Sequence, residues 1–279
     1  MQFVEILKAI LQGIVQGVTE WLPISSTGHI LLLDALWPMK VTQKFFDVFK
    51  VVIQLGSIMA VVVLYFYKLN PFSRKKTESE RKDTWILWLK VLVASIPAAV
   101  VGLVIDDWMD STLSTPLVIA AALLVYGIGF ILLESFPPKT TVTTLKDLSY
   151  SRALGIGAFQ MLSLIPGTSR SGSTILGASL FGTSREVAAE FSFFMAIPVV
   201  VGASGLKLVK FFFVKNLSFT AGEWLVLLIA TVVAFLVSLL AIRFLMGYIK
   251  RHDFKVFGWY RIGLAILVVA AYFAGILAK

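Results

Sequence analysis

Two stretches that combine proline, glycine and hydroxyl residues interrupt a chain that is otherwise strongly apolar. The first reads Leu22-Pro23-Ile24-Ser25-Ser26-Thr27-Gly28-His29, and the second reads Ile165-Pro166-Gly167-Thr168-Ser169-Arg170-Ser171-Gly172. Proline breaks helices, and polar side chains are costly in apolar surroundings. One stretch also carries a histidine and the other an arginine. The two stretches therefore predict broken helices and mark where chemistry is expected.

The composition indicates a protein that crosses a membrane several times. Of its 279 residues 58% are hydrophobic and 15% are charged, and the mean hydropathy is +0.89. Soluble domains carry about 25% charged residues. The absence of cysteine excludes disulfides, thiolate metal sites and a cysteine nucleophile. We expect no cleavable signal peptide, because the N-terminus lacks a basic leader and a small-residue cleavage site.

Six apolar runs are long enough to cross about 30 Å of hydrocarbon as helices. They cover residues 48–67, 86–105, 115–134, 187–210, 222–246 and 257–277. The runs that flank the two polar stretches are too short to cross, and irregular backbone at membrane depth needs protein or a water-filled cavity beside it. The sequence therefore predicts an all-α polytopic membrane protein with six transmembrane helices and two re-entrant helical hairpins.

The basic residues predict which side of the membrane each loop faces. Loop 68–85 is the most basic and loop 135–152 is also basic, so both are expected in the cytoplasm. The net charge of +9 is read as this bias together with contacts to anionic lipids, not as a sign of nucleic-acid binding. Lys207, Lys210 and Lys215 fall on the outer side in this topology and break the rule.

A hairpin followed by three spans occurs twice, in residues 1–134 and in residues 150–279 of a single membrane domain. The first hairpin is expected to open to the outside and the second to the cytoplasm, which makes the halves an inverted repeat. Such repeats place a site near the midplane, where the halves meet. Aligning the two stretches pairs Pro23 with Pro166, Ser25 with Thr168 and Ser26 with Ser169.

The first stretch offers acid–base chemistry. Gln16 and Glu20 are four residues apart on one helical face, and a carboxylate in an apolar helix is expected to face a cavity, a partner or a metal. Ser26 and His29 are three apart, which predicts a hydroxyl–imidazole pair if the turn is helical. His29 would then serve as a general base or acid, near its unperturbed pKa of about 6.5.

The second stretch offers anion binding. Gly167 and Gly172 let the backbone approach a ligand closely, and successive N–H groups before a helix predict an anion nest. Arg170 matches phosphate oxygens in a bidentate manner and can stabilise charge during phosphoryl transfer. Ser171 and Thr174 add hydroxyl donors, although such residues also serve in helix packing.

A later patch gives two further observations. Arg185 and Glu190 are expected either to form a structural pair or to extend the site. The lipid-phosphate phosphatases of the acid-phosphatase superfamily need a histidine six residues beyond such an arginine, and Phe191 stands there. That family is therefore excluded.

The two stretches and several shorter segments resemble the signatures of the BacA-type undecaprenyl-diphosphate phosphatases, and the resemblance extends over essentially the whole chain. Its segments are Gln16-x-x-x-Glu20, Glu20 to His29, Pro166 to Thr174, Ile96-Pro97-Ala98, Glu190-Phe191-Ser192-Phe193 and Trp259-Tyr260-Arg261. The family accepts Glu or Gln at the position of Gln16. Glutamine there argues against a mechanism that needs two carboxylates.

The resemblance implies an enzyme that hydrolyses undecaprenyl diphosphate to undecaprenyl phosphate and inorganic phosphate. It further implies recycling of the lipid carrier for bacterial cell-wall synthesis, bacitracin resistance, and a plasma-membrane location with an active site that faces the extracytoplasmic side. The expected partners are a polyprenyl diphosphate and membrane lipids, with Mg²⁺ or Ca²⁺ as the divalent cation because both prefer hard oxygen ligands. The alternative from another class is an inverted-repeat transporter or lipid flippase, with Glu20 as a proton relay.

The expected catalytic residues are Glu20, Ser26, His29 and Arg170, with Glu20 also a metal ligand. The expected substrate-binding residues are Gln16, Ser25, Thr27, Gly167, Thr168, Ser169, Ser171 and Thr174. Ser26 is the candidate nucleophile, activated by His29 or Glu20, with direct attack by water as the alternative. The sequence leaves open the nucleophile, the metal, the prenyl chain length, any coupling to lipid flipping and the oligomeric state, a homodimer being one option.

Overall fold

The computed structural model describes residues 2–277, apart from the side chains of Gln2, Asp106, Asp107, Asp110 and Ser111. Within this part the chain forms α-helices and no β-strand, which confirms the predicted all-α class. The helices are α1 Gln2–Thr19, α2 Ser26–Leu36, α3 Gln43–Val52, α4 Gln54–Leu64, α5 Phe66–Leu69, α6 Glu78–Leu113, α7 Pro116–Ser135, α8 Tyr150–Met161, α9 Arg170–Leu180, α10 Arg185–Val209, α11 Ala221–Ile249 and α12 Lys255–Phe273. A short 3₁₀ turn (Leu162–Leu164) follows α8, and a π-helical turn (Lys210–Val214) extends α10.

Six helices are long and apolar enough to cross a membrane, as predicted. They are Gln43–Leu64, Glu78–Ile105, Pro116–Ser135, Arg185–Val214, Ala221–Ile249 and Lys255–Phe273. The first of them is interrupted at Ile53, where α3 ends and α4 begins. The chain is therefore a multi-pass membrane protein built around these six spans.

The segment between the predicted spans 86–105 and 115–134 is mostly helical. Helix α6 does not end at Ile105 but continues to Leu113, so that only Ser114 and Thr115 join it to α7. The hydroxyl of Thr115 accepts a hydrogen bond from the Val118 N–H at 3.3 Å, and Pro116 occupies the first turn of α7. The cap accepts one of the free N–H groups at the start of α7, and proline has no N–H, so α7 can begin directly after this short connection.

Both polar stretches break the helix before them, and they do so with the same local geometry. Ser25 and Ser169 adopt left-handed backbone conformations, with φ of 74° and 71°. Each caps the following helix, its hydroxyl accepting from the amide of Gly28 or Gly172. Ser25 is thus the counterpart of Ser169, and the predicted pairing of Ser26 with Ser169 is one residue out of register.

The first helix pair, α1 and α2, begins and ends at one end of the bundle, here called the α1 end. The Lys8 ammonium donates to the carbonyl of Pro38 at 2.7 Å, and the Lys40 N–H donates to the Glu5 carboxylate at 2.9 Å. The start of α1 therefore lies beside the segment that follows α2.

The second helix pair, α8 and α9, begins and ends at the opposite end, here called the α8 end. Arg152 donates to the Thr141 hydroxyl at 3.0 Å, and the Thr141 N–H donates to the carbonyl of Gly182 at 2.8 Å. Lys146 and Asp83 form an ion pair of 2.6 Å at the same end. The loops 68–85 and 135–152 therefore share one end of the bundle, as the topology requires.

The two halves make matching packing contacts. Helix α1 packs on α11, whereas α8 packs on α6, and α7 packs on α12. A Cβ on Gly13 would lie 2.6 Å from the Ala230 carbonyl oxygen of α11, and a Cβ on Gly157 would overlap the Ala94 carbonyl oxygen of α6. In each broken helix, a glycine thus allows close packing against a span from the other half of the chain.

We expect Gly157→Val to destabilise the protein, because the new side chain would collide with the backbone of α6. Overpacking of this kind costs about 1–3 kcal/mol. Thermal unfolding in detergent should show a lower Tm for this variant. Gly202→Val is the matched control, since nothing lies within 4 Å of a Cβ at that position. Equal Tm values for the two variants would show that Gly157 does not pack closely against α6.

Candidate active site

The tips of the two broken helix pairs meet inside the bundle. Arg170, the first residue of α9, forms an ion pair of 2.7 Å with Glu20, which directly follows α1. Their side chains are 11% and 6% exposed, so the pair is largely withdrawn from solvent. The Ser171 hydroxyl also donates to the carbonyl of Leu22 at 3.4 Å. The prediction that the two stretches come together is confirmed.

The ion pair is supported on both sides by neutral groups. Gln16 donates to the second carboxylate oxygen of Glu20 at 2.9 Å, and Arg170 donates to the carbonyl of Ser192 at 2.8 Å. The Arg170 guanidinium lies 5.6 Å from the centre of the Trp21 ring. A buried ion pair needs such additional hydrogen bonds, since attraction alone does not offset the loss of hydration. Gln16 and Ser192 therefore position the pair.

A second arginine, fully buried Arg261 of α12, fastens the two stretches to each other. One guanidinium nitrogen donates to the carbonyl of Pro23 at 3.1 Å, and the other donates to the carbonyls of Gly167 at 3.0 Å and Thr168 at 2.8 Å. Its Nε donates to the carbonyl of Leu123 at 3.5 Å. A single side chain thus satisfies backbone from both broken segments and from α7.

Arg261 is absent from the residues that the sequence assigns to the site. It was noted only within the segment Trp259-Tyr260-Arg261. A stronger signal was present, because an arginine inside an otherwise apolar span is rare and has a partner or a function by default. Its partners are carbonyl groups of distant segments, and no pattern of side chains along the sequence points to them.

His29 makes two hydrogen bonds, and neither involves Ser26. Its Nδ1 lies 2.7 Å from the carbonyl oxygen of Ser25, and its Nε2 lies 2.7 Å from the Tyr260 hydroxyl. A carbonyl can only accept, so Nδ1 carries the proton and Nε2 of the neutral ring keeps its lone pair. The predicted Ser26–His29 pair is therefore not formed in this structure. Burial lowers the pKa of His29 below its ordinary value, which favours the neutral ring.

The hydroxyl residues fall into two groups. The buried group is Ser25, Thr168, Ser171 and Thr174. The Thr174 hydroxyl, for example, donates to the carbonyl of Arg170 at 2.9 Å and lies 2.6 Å from the Ser192 hydroxyl. The partly exposed group is Ser26, Thr27 and Ser169. The buried group is held by hydrogen bonds within the protein, and the Ser169 hydroxyl is also engaged, by the Gly172 amide at 3.2 Å.

The predicted anion nest is smaller than expected. The Thr168 N–H donates to the carbonyl of Ile165 at 3.2 Å and is not open to a ligand. Gly167 has φ of 93°, and a Cβ there would lie 2.6 Å from the carbonyl oxygen of Ile119 in α7. Gly167 is thus required by packing against α7 and by its left-handed backbone. At the start of α9, the Gly172 amide donates to the Ser169 hydroxyl at 3.2 Å and the Ser173 amide donates to the Ser169 carbonyl at 2.9 Å, so the first amides of the helix are left as candidate anion donors.

Three buried polar atoms beside the ion pair have no hydrogen-bond partner in the described part of the chain. They are Arg170 Nε, Gln16 Oε1 and Trp21 Nε1. Buried polar groups are nearly always satisfied by protein, water or a ligand. Two of the three, Arg170 Nε and Trp21 Nε1, are donors, and Gln16 Oε1 is an acceptor.

The protein side chains do not form a cation site by themselves. Both carboxylate oxygens of Glu20 are engaged, one with Arg170 and the other with Gln16. The described residues contain no group of three His, Cys, Asp or Glu side chains that could hold a metal ion. A divalent cation at Glu20 would have to obtain most of its ligands from the substrate.

The expected partnership of Arg185 and Glu190 is wrong. Arg185 donates to the Glu134 carboxylate at 2.9 Å, and Glu190 forms an ion pair of 2.7 Å with Lys68. The two residues are five positions apart on α10, a spacing at which side chains on a helix do not face each other. Both belong to contacts at the α8 end and not to the site.

Fold and site together define a class: a polytopic helical membrane protein whose buried carboxylate–arginine pair joins two helix-breaking loops. The chain belongs to the family described as bacitracin resistance protein BacA, whose model matches residues 9–267.

Curated relatives match the chain over nearly its whole length. It is 55% identical to an undecaprenyl-diphosphatase of Enterococcus faecalis (strain ATCC 700802 / V583), over 96% of this chain and 98% of the relative. It is 54% identical to the undecaprenyl-diphosphatase of Latilactobacillus sakei, over 98% and 100%, and 56% identical to that of Lactiplantibacillus plantarum, over 95% and 97%. The resemblance seen in the motifs is confirmed.

We expect Arg261→Met to loosen both stretches, because it leaves the three carbonyls of Pro23, Gly167 and Thr168 without their donor. A buried carbonyl without a partner costs about 1–3 kcal/mol. The variant should show a lower Tm in detergent and faster amide hydrogen exchange in residues 20–25 and 165–169. The control is Arg243→Met, at an exposed position of α11. Unchanged exchange in both segments would show that Arg261 does not fasten them.

Proposed function

We propose that the chain is a hydrolase that converts undecaprenyl diphosphate to undecaprenyl phosphate and inorganic phosphate. The names of its relatives support this substrate, given identities of 54–56% over nearly the full length. The observation that carries the proposal is the buried Glu20–Arg170 pair, beside which Arg170 Nε has no partner among the described residues. A diphosphate that reached the pair would accept a hydrogen bond from Arg170 Nε.

The diphosphate would bind beside the Glu20–Arg170 pair, where Arg261 joins the segments that precede α2 and α9. Arg170 supplies the charged donor, and the first amides of α2 and α9 supply neutral donors with favourable helix dipoles. Arg261 assists indirectly, because it takes up the carbonyls of Gly167 and Thr168 that would otherwise repel an anion. The polyprenyl tail would lie between helices, in contact with the lipid.

Hydrolysis needs a nucleophile and a base. In one route the Ser26 hydroxyl attacks the terminal phosphorus, the bridging P–O bond breaks and undecaprenyl phosphate leaves; water then cleaves the phosphoserine and releases inorganic phosphate. In the other route water attacks directly. Either route can use Nε2 of His29 as the base, since this atom keeps its lone pair and accepts from Tyr260. For Nε2 to accept a proton from the nucleophile, the Tyr260 hydroxyl must move aside or relay that proton.

The membrane arrangement is part of the proposal. The two broken helix pairs start from opposite ends of the bundle, and the halves make matching contacts; both features support inverted repeats over residues 1–134 and 150–279 with re-entrant hairpins. We place the α8 end in the cytoplasm of a bacterial cell, because it holds the basic loops 68–85 and 135–152. The first hairpin would then open the site to the extracytoplasmic side. A homodimer stays a prediction.

The proposed reaction assigns a role in the cell. Undecaprenyl phosphate would return to carry cell-wall precursors, and bacitracin resistance is the role that the description of the family attaches to the activity. Both roles follow from the reaction and share its support.

A transporter or lipid flippase is the second candidate, and one observation favours it. The hairpins approach the site from opposite ends, which is the architecture of transporters that alternate access. Transport and hydrolysis differ in whether phosphate is released, so one assay separates them.

We expect the purified protein in detergent, with undecaprenyl diphosphate and Mg²⁺, to release inorganic phosphate. Arg170→Ala should lower the rate by about 10²–10³-fold, the usual cost of losing a donor that stabilises transition-state charge. Arg243→Ala is the control at an exposed position. If the wild type releases no phosphate while Arg170→Ala stops lipid movement between vesicle leaflets, the transporter is correct. A Ser26→Ala variant with nearly full rate would assign the attack to water.

A divalent cation is proposed as a companion of the substrate, with Glu20 as its protein ligand. When bound it would neutralise charge on the diphosphate oxygens. We expect EDTA to abolish phosphate release and Mg²⁺ or Ca²⁺ to restore it. Glu20→Gln should raise the cation concentration needed for half-maximal rate, whereas Glu78→Gln, exposed at the start of α6, should not. Full activity in EDTA would disprove the cation and leave the hydrolase intact.

A further inference from the structure

A cavity of about 490 Å³ lies at the α1 end, apart from the Glu20–Arg170 site. Helix α3, the connection between α6 and α7, and the π-helical turn after α10 all contribute to its walls. It is lined by Gln43, Lys44, Asp47, Val48, Lys50, Ser114, Lys207, Lys210, Phe211 and Lys215. A volume of this size is in the range of small-molecule sites.

The charged residues that line the cavity are five lysines and one aspartate. Asp47 is already engaged, because it forms an ion pair of 3.2 Å with Lys50. Lys44 and Lys215 stand on different walls, and neither forms an ion pair with any other residue within the described part of the chain. An anion between these two walls would be attracted by both.

The π-helical turn explains how Lys215 reaches this cavity. In a π-turn hydrogen bonds run from residue i to i+5, and the Lys215 N–H donates to the Lys210 carbonyl at 2.9 Å. Lys215 therefore lies one turn above Lys210, on the same face. A continuing α-helix, with 100° per residue, would turn position 215 well away from position 210. π-Turns are rare and are frequently found at functional sites.

We propose that this cavity binds a phosphate-bearing anion. The ammonium groups of Lys44 and Lys215 would bind its oxygens from opposite walls, and Ser114 would add a hydroxyl donor. The anion is either the headgroup of an anionic membrane lipid or free inorganic phosphate, both of which present the same oxygens to the lysines. The binding is independent of the proposed hydrolysis, because no residue of the cavity belongs to the catalytic site.

The experiment uses the full chain and two probes. In nanodiscs that contain phosphatidylglycerol and phosphatidylcholine, native mass spectrometry measures which lipid stays bound. In detergent without anionic lipid, ³¹P NMR titration measures inorganic phosphate. The double variant Lys44→Gln with Lys215→Gln should weaken binding of the lipid or of the phosphate by roughly ten-fold or more, because two ammonium groups that attract the anion are lost. Lys44→Arg with Lys215→Arg should retain it.

The control is Lys75→Gln with Lys250→Gln, which removes the same charge from exposed positions at the α8 end. If the wild type retains phosphatidylglycerol selectively and only the cavity variant loses it, the ligand is a lipid headgroup. If the cavity variant loses only the phosphate-induced ³¹P shift, the ligand is free phosphate. Equal losses in the cavity and control variants overturn the proposal. If the glutamine variant does not fold, the wild type decides: the absence of both preferential retention and a phosphate shift overturns it.

Discussion

The structure depends on one buried guanidinium. Arg261 comes from the last transmembrane helix, yet it binds carbonyl groups before α2 and before α9, at Pro23, Gly167 and Thr168. Backbone that leaves a helix inside the bundle has unpaired polar groups, and apolar side chains cannot satisfy them. Two broken helices are therefore tolerated here because a third element supplies the missing donors. The same contacts hold the two loops at a defined distance from each other.

The Glu20–Arg170 pair is a consequence of this arrangement. Such a pair gains little stability, since dehydration of two charges roughly offsets their attraction. The pair instead fixes the positions of two side chains, because Gln16 holds Glu20 and the Ser192 carbonyl holds Arg170. Arg170 Nε is left as a buried donor without a partner in the described part of the chain. For the proposed hydrolysis this matters, because a site that is already dehydrated and oriented would need little rearrangement on binding an anion.

The sequence predicted much of this architecture but misjudged details that depend on contacts. The six spans, the two interruptions and the meeting of Glu20 with Arg170 are confirmed. The Ser26–His29 pair failed, since Ser25 and Tyr260 take both imidazole nitrogens. The alignment of the two stretches was one residue off, because the left-handed caps Ser25 and Ser169, and not the prolines, are equivalent. Each error concerns backbone geometry or a partner far along the chain.

The sequence by itself determined the class of protein: hydropathy sets the number of spans, and proline, glycine and charge within apolar segments mark the breaks and the candidate site residues. These properties are local, so they can be read along the chain. Only the tertiary structure decided that Arg261 joins the two loops, that Tyr260 and Ser25 orient His29, and that Arg170 reaches Glu20, 150 positions away. Hydrogen bonds form between atoms within about 3 Å of each other, and proximity across the bundle depends on how all the helices pack.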